Sequence, residues 1–212
     1  MWRKITNLCL SPWLVVWQGP RRGNCVALTF DDGPDPTFTQ RVLDLFKKTG
    51  TKATFFLVGE KVEVHPDLVR RIVQEGHEVG SHSFRHESLR GRSLRWTGEQ
   101  LRKAEACLEP FRDGTHRLRL FRPPYGTLSC GLLLWAAILR MQIVLWSKDP
   151  EDYRCESPEE ILRYFQAKPL RSGDIVLLHD KTQVTVEALE VLLSDVQERG
   201  LEVVKVSDLL AR

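Results

Sequence analysis

The chain reads as one α/β domain built on parallel strands, and three observations carry that reading. Short runs of Val, Ile, Leu and Phe recur, and most are followed by an amphipathic stretch with helical spacing. The runs are almost unbroken rather than alternating, as expected of strands covered on both faces. No repeat, low-complexity tract or Pro/Ser-rich linker interrupts the pattern. Such alternation builds either an open doubly wound sheet or a closed barrel.

The elements follow in order. "CVALTF" from Cys25 is the first strand, and "PTFTQRVLDLFKKTG" is a helix with Phe38, Val42, Leu45 and Phe46 on one face and Gly50 at its end. "KATFFLVG" is a strand, and "HPDLVRRIVQEG" is a helix closed by Gly76 before the short strand "HEVGS". "LRWTGEQLRKAEACLEPF" is helical, and "LRLFRPPYG" is a strand running into a proline-rich turn. "CGLLLWAAILRM" is a nearly all-apolar helix, too short to cross a bilayer. Then come strand "QIVLWSKD", helix "SPEEILRYFQAK", strand "GDIVLLHD" and helix "TVEALEVLLSDVQERG". "LEVVKVSDLL" closes the chain with a strand and a helical turn, making about seven strand–helix units.

Composition excludes several classes. The 212 residues are 42% hydrophobic and 28% charged, enough for one sizeable core. A net charge of +3, with no basic run interleaved with aromatics, argues against a nucleic-acid partner. The five cysteines (Cys9, Cys25, Cys107, Cys130, Cys155) are scattered without a CxxC pair, which points to free thiols or small core residues. Residues 1–24 form a segment of their own ahead of a single domain over 25–212. Their basic, apolar start is broken by Thr6, Asn7, Ser11 and Pro12, and no small-residue cleavage site follows. A cytoplasmic protein is therefore expected, with no transmembrane segment. Trp2, Ile5, Cys9, Trp13 and Val16 lie at roughly helical spacing, so this segment suits packing on the domain surface or at a membrane surface.

The unusual polar residues collect at the C-terminal ends of the strands. Asp31 and Asp32 end the first, and His82 and His86 follow "HEVGS". Arg122 follows "LRLF", Asp149 and Asp152 follow "IVLW", and His179 ends "IVLLH". In a parallel α/β fold those ends share one face, where active sites are built. Adjacent aspartates repel each other and lose hydration unless a cation, a proton or an arginine compensates them. The plain alternative is a solvated turn in which Asp32 or Asp35 caps the next helix. Two histidines four apart meet one ion if their segment turns helically, and one added carboxylate completes a His₂Asp set suited to catalytic zinc. The other aspartate could then act as general base, oriented by Arg122. His179 is a candidate acid, with a carboxylate such as Asp152 to hold its ring and raise its pKa. His65 and His77 read as ordinary histidines.

"TFDDGPD", "HSFRH", "RPPYG", "WSKDPEDY" and "LLHD", in this order, resemble the five motifs of the polysaccharide deacetylase family, the NodB-homology domain. The resemblance covers about residues 25 to 210. It implies a distorted (β/α) barrel of about seven parallel strands and metal-dependent hydrolysis of acetyl groups on an acetylated carbohydrate, mostly N-acetyl on amino sugars. It further implies that Asp31 is the general base and that Asp32, His82 and His86 hold one divalent metal, most often Zn²⁺. Arg122 would position Asp31, the backbone N–H of Tyr125 would bind the oxyanion, and Leu177 would line the acetyl pocket. Asp152 would tune His179 as the acid. The sequence departs from the family at Tyr153, where Trp is common, so altered substrate fit is expected. Three activities remain open: deacetylation of an amino-sugar polymer, oligosaccharide or glycolipid; hydrolysis of an O-acetyl ester or a small amide; and silent glycan binding. The presence of every motif residue disfavours the last.

Overall fold

The structure, a computed structural model, describes residues 14–112 and 119–212. Eight parallel strands carry the site: β1 (Val15–Val16), β2 (Cys25–Asp31), β3 (Thr54–Leu57), β4 (Glu78–Ser81), β5 (Arg119–Phe121), β6 (Met141–Val144), β7 (Ile175–His179) and β8 (Glu202–Val203). The sheet runs β1-β6-β5-β4-β3-β2-β7, with β8 beside the start of β2. The gap between β6 and β7 is closed in two parts. At its lower end β1 lies along β6, and the Gly19 N–H donates to Gly173 O at 2.8 Å. At its upper end the chain leaving β6 pairs with β7: Ser147 N–H donates to Ile175 O and Leu177 N–H to Lys148 O, both at 2.9 Å. The ring of strands is thus an irregular barrel, as expected.

The described helices are α1 (Phe38–Thr49), α2 (Gly59–Val64), α3 (Pro66–Gln74), α4 (Leu94–Leu108), α5 (Cys130–Ile138), α6 (Pro158–Ala167), α7 (Gln183–Glu198) and α8 (Val206–Leu210). The runs of β2, β3, β4, β6 and β7 are buried on both faces, which is why they carry no alternation. Alternate residues still go to different places. Val26, Leu28 and Phe30 of β2 pack outward with Val42, Leu43 and Phe46 of α1 and Leu189 and Leu192 of α7. Cys25 and Ala27 turn inward, to meet Phe56, Leu120, Val144 and Ile175. Burying each of the large side chains contributes about 2 kcal/mol before the entropy of ordering is set against it.

Three local readings change. Val15 and Val16, inside the segment 1–24, form a sheet strand, while Trp2, Ile5, Cys9 and Trp13, with the breakers Thr6, Asn7, Ser11 and Pro12, lie outside the described residues. The six-residue α2 was not visible in the pattern, because one and a half turns show no period. Residues 82–86 do not turn helically: Ser83 and His86 have φ of 66° and 54°, in the left-handed region. The Ser83 hydroxyl accepts the His86 N–H at 3.1 Å and closes that turn. Among the described residues Cys25, Cys107, Cys130 and Cys155 are free thiols, as composition suggested.

Candidate active site

The two-residue alternation of β2 and β7 decides which side chains meet. With Ala27 inward, Thr29 and Asp31 also face the barrel mouth, and the same parity in β7 brings Leu177 and His179 there. In the β2–β7 register Asp31 is opposite His179 and Thr29 opposite Leu177. Asp31 and His179 are therefore side by side on adjacent strands although 148 positions apart in the chain, while Leu177, buried, lies one layer below.

Arg122 continues the inward side of β5, two residues after Leu120, and is completely buried. Its Nη1 donates to Asp31 Oδ1 and to Thr29 Oγ1, both at 2.7 Å. Nε and Nη2 donate to the carbonyls of Val144 (3.0 Å) and Leu145 (3.1 Å). Burial pushes the guanidinium pKa down, and the charge of Asp31 beside it pushes back. One oxygen of Asp31 is thus fixed by a charge-assisted bond. Its other oxygen, Oδ2, lies 3.7 Å from His82 Nε2.

Asp32 follows directly with φ 72°, in the left-handed region. Its Oδ1 stands 3.0 Å from His86 Nε2 and 3.5 Å from His82 Nε2. One ligand atom from each of the three residues lies within 4.8 Å of the others. His82 Nδ1 donates to Arg122 O at 2.7 Å, because a carbonyl can only accept, so Nε2 is left as the free lone pair. Asp32 Oδ1 is buried without a hydrogen-bond partner, an expensive arrangement unless something binds there. Burial works to raise the Asp32 pKa, but His82, His86 and Lys181 together hold the carboxylate well below the usual range. The donor set fits a divalent metal: one carboxylate oxygen and two imidazoles whose free atoms converge.

Asp152 lies on the turn after β6 and grips His179 twice. Its Oδ1 accepts from His179 Nδ1 at 2.7 Å and its Oδ2 from the His179 backbone N–H at 2.8 Å. Thr185, in the first turn of α7, adds its hydroxyl to Oδ2 at 2.8 Å. Burial opposes protonation of His179; the Asp152 bond and charge, with Asp31 and Asp32 nearby, outweigh it and raise the imidazole pKa. Nε2 is left to face the mouth. The rings of Tyr153 (5.1 Å from His179) and Tyr125 (5.0 Å from His86) stand on two sides of the site, both exposed. Tyr125, directly after Pro123-Pro124, has φ 60°, in the left-handed region.

The strand-end residues Asp31, Asp32, His82, His86, Arg122, Asp152 and His179 thus meet at this mouth; Asp149 accepts the Glu151 N–H, and His77 is buried at the other end of β4, where Nδ1 accepts the Ala53 N–H. Asp35, not Asp32, is the helix-capping aspartate: its Oδ1 accepts the N–H groups of Thr37 (2.9 Å) and Phe38 (2.8 Å). Sequence reasoning missed four supports. Lys61 Nζ donates to the Asp32 carbonyl and Lys181 Nζ to Asp32 Oδ2, both at 2.7 Å. Thr185 was read only as helix. Asp180 is fully buried, with one oxygen taking the Thr39 hydroxyl and both against Gly33, where a Cβ would come within 2.8 Å. Gly33 is glycine for that reason.

A barrel whose strand ends hold an Asp/His/His ligand set, an arginine-fixed carboxylate and an aspartate-held histidine defines a class of metal-dependent hydrolases. A sequence profile described as polysaccharide deacetylase matches residues 18–144. The chain belongs to the polysaccharide deacetylase family. It is 37% identical over 201 residues to a peptidoglycan-N-acetylglucosamine deacetylase of Bacillus cereus, covering 92% of each chain. The Bc1960 peptidoglycan N-acetylglucosamine deacetylase superposes with a TM-score of 0.86 at 33% identity, over 93% of this chain and 92% of that one. BA3943 of Bacillus anthracis, a CE4 family pseudoenzyme, superposes equally well, with a TM-score of 0.86 at 30% identity over 95% of this chain and 70% of that one. The likeness of folds therefore does not by itself assign turnover; the side chains must.

Proposed function

We propose that this chain is a single-zinc deacetylase that removes N-acetyl groups from an amino-sugar polymer or oligosaccharide. The observation that supports it most is the register placing Asp31 beside His179, with the Asp32–His82–His86 set against Asp31. A zinc ion held by those three residues would supply Lewis acidity, polarising the acyl oxygen and the attacking water. Asp31, with one oxygen held by Arg122, takes the proton from that water through its free oxygen. The N–H of Tyr125, on its left-handed turn, serves the developing oxyanion. His179, its Nδ1 held by Asp152, delivers a proton from Nε2 to the departing amine. Leu177 offers an apolar floor for the acetyl methyl group, and the Tyr125 and Tyr153 rings are faces on which a sugar can stack.

The similarity to a pseudoenzyme keeps silent binding as the second reading, and the intact Asp31, Arg122, Asp152 and His179 constellation speaks against it. The test is acetate release by protein of known metal content from N-acetylglucosamine oligomers, peptidoglycan fragments and an O-acetylated xylan. Release that disappears with a chelator, with Asp32→Ala (metal and activity together) and with Asp31→Asn (metal kept) is expected. An active Asp31→Asn would remove the base assignment. Preference for the xylan ester would move the substrate, and no release from a metal-loaded protein would favour silent binding.

A further inference from the structure

The residue directly after the buried pair His179-Asp180 is a lysine, and its ammonium does not point to solvent. Lys181 Nζ donates to Asp32 Oδ2 at 2.7 Å, and its side chain is 37% exposed. The two oxygens of Asp32 are thereby made unequal. Oδ2 is capped by a cation, while Oδ1 is buried, partnerless and turned to the two Nε2 atoms. Lys61 fixes the same residue from behind through its carbonyl. A carboxylate oxygen that already accepts from an ammonium is a poorer donor to a metal than its uncapped partner, and a fixed positive charge within a few ångströms weakens the hold on any cation placed there.

We propose that Lys181 is a positioning residue of the metal centre: it restricts Asp32 to one donor oxygen and, by its charge, sets the site's affinity below what the three ligands alone would give. This rests on the reading of Asp32, His82 and His86 as a metal site. It predicts a centre with an open coordination position, as a hydrolase needs, because the Lys181 contact disfavours Asp32 Oδ2 as a second donor. The charge term should dominate. Removing an ammonium this close to the ion strengthens binding by about tenfold at low ionic strength, the partial exposure of Lys181 having reduced the effect.

The experiment needs no substrate. Zinc affinity of the purified protein is measured by competition with a chromophoric chelator, at low and high salt, for the wild type and for Lys181→Met, Lys181→Gln and Lys181→Arg. Cobalt(II) is then substituted and its visible absorption, which weakens as coordination number rises, is recorded. The proposal expects tighter zinc in the Met and Gln variants, a gap that narrows with salt, and near wild-type affinity in the Arg variant. It expects weakened cobalt bands in the Met variant alone, since Gln can still donate to Oδ2. A Met variant with wild-type or weaker affinity overturns the proposal, and if that variant does not fold, the affinity of the Gln variant decides it in the same way. Failure of the wild type itself to bind zinc or cobalt overturns the metal reading beneath it, a different and recognisable failure.

Discussion

Asp152 holds His179 by both its ring and its backbone: Oδ1 takes the Nδ1 proton at 2.7 Å while Oδ2 takes the peptide N–H at 2.8 Å. The second bond fixes where β7 ends relative to the turn carrying Asp152, so the ring cannot swing without moving the strand end. The same carboxylate raises the His179 pKa against the opposing effect of burial. An acid must be protonated, so activity should fall as pH rises through that raised value. Asp152→Asn should move the falling limb of the pH–rate profile to lower pH and reduce kcat by about 100-fold. The stability linkage has the same direction. A folded pKa above the unfolded value contributes stability that is full below about pH 6.5 and is lost as pH rises through the folded pKa. A histidine NMR titration of both proteins checks the shift directly.

His179→Ala tests the role rather than the pKa. An amine leaves badly unless protonated, whereas the phenolate of an activated aryl acetate leaves unaided. Hydrolysis of N-acetyl substrates should fall by about 100-fold or more, and that of the aryl ester by less than about tenfold. Steady-state rates on the two substrates settle it; equal losses would make His179 structural.

Arg122 is among the largest completely buried side chains of the described residues, and each of its side-chain hydrogen bonds goes to the barrel lining. Arg122→Met would keep most of the packing but leave Asp31 buried without its charge partner. The expected cost is about 3–5 kcal/mol, read as a lowered midpoint in denaturant. Adding Asp31→Asn should recover part of that stability while leaving the protein inactive, because the loss comes mainly from an uncompensated carboxylate. Equal midpoints for the single and double variants would assign the loss to packing instead.

These sites were legible to different degrees for identifiable reasons. The apolar runs ending in Asp31-Asp32, Arg122 and His179 could be read directly, because a parallel strand buried on both faces leaves its polar residues only at its ends. The barrel mouth as the meeting place followed from parallel order alone. What the pattern does not carry is register: nothing local says that Asp31 stands opposite His179 rather than Leu177. Nor does spacing show that His82 and His86 converge through left-handed turns at Ser83 and His86 instead of a helix. Lys61 stayed hidden because α2 is too short to show a period, and Lys181 because its partner is 149 positions away. The β1 strand has two residues, fewer than any alternation can reveal.

Asp180 gives a prediction of the opposite sign to an ion-paired carboxylate such as Asp32. Burial raises its pKa to about 7, with the Thr39 hydroxyl only partly offsetting it, and its Oδ1 has no hydrogen-bond partner. The folded state therefore holds a proton that the unfolded chain releases near pH 4, and stability must fall as pH rises from there to about 7. Above that value both states are ionised and the penalty levels off. Asp180→Asn removes the ionisation but keeps an oxygen for Thr39. The variant should gain stability over the wild type by up to about 3 kcal/mol more at pH 8 than at pH 5. Urea unfolding of both proteins at the two pH values measures that difference. A difference independent of pH would mean that the Asp180 carboxylate is paired in the folded protein by a cation strong enough to cancel its burial.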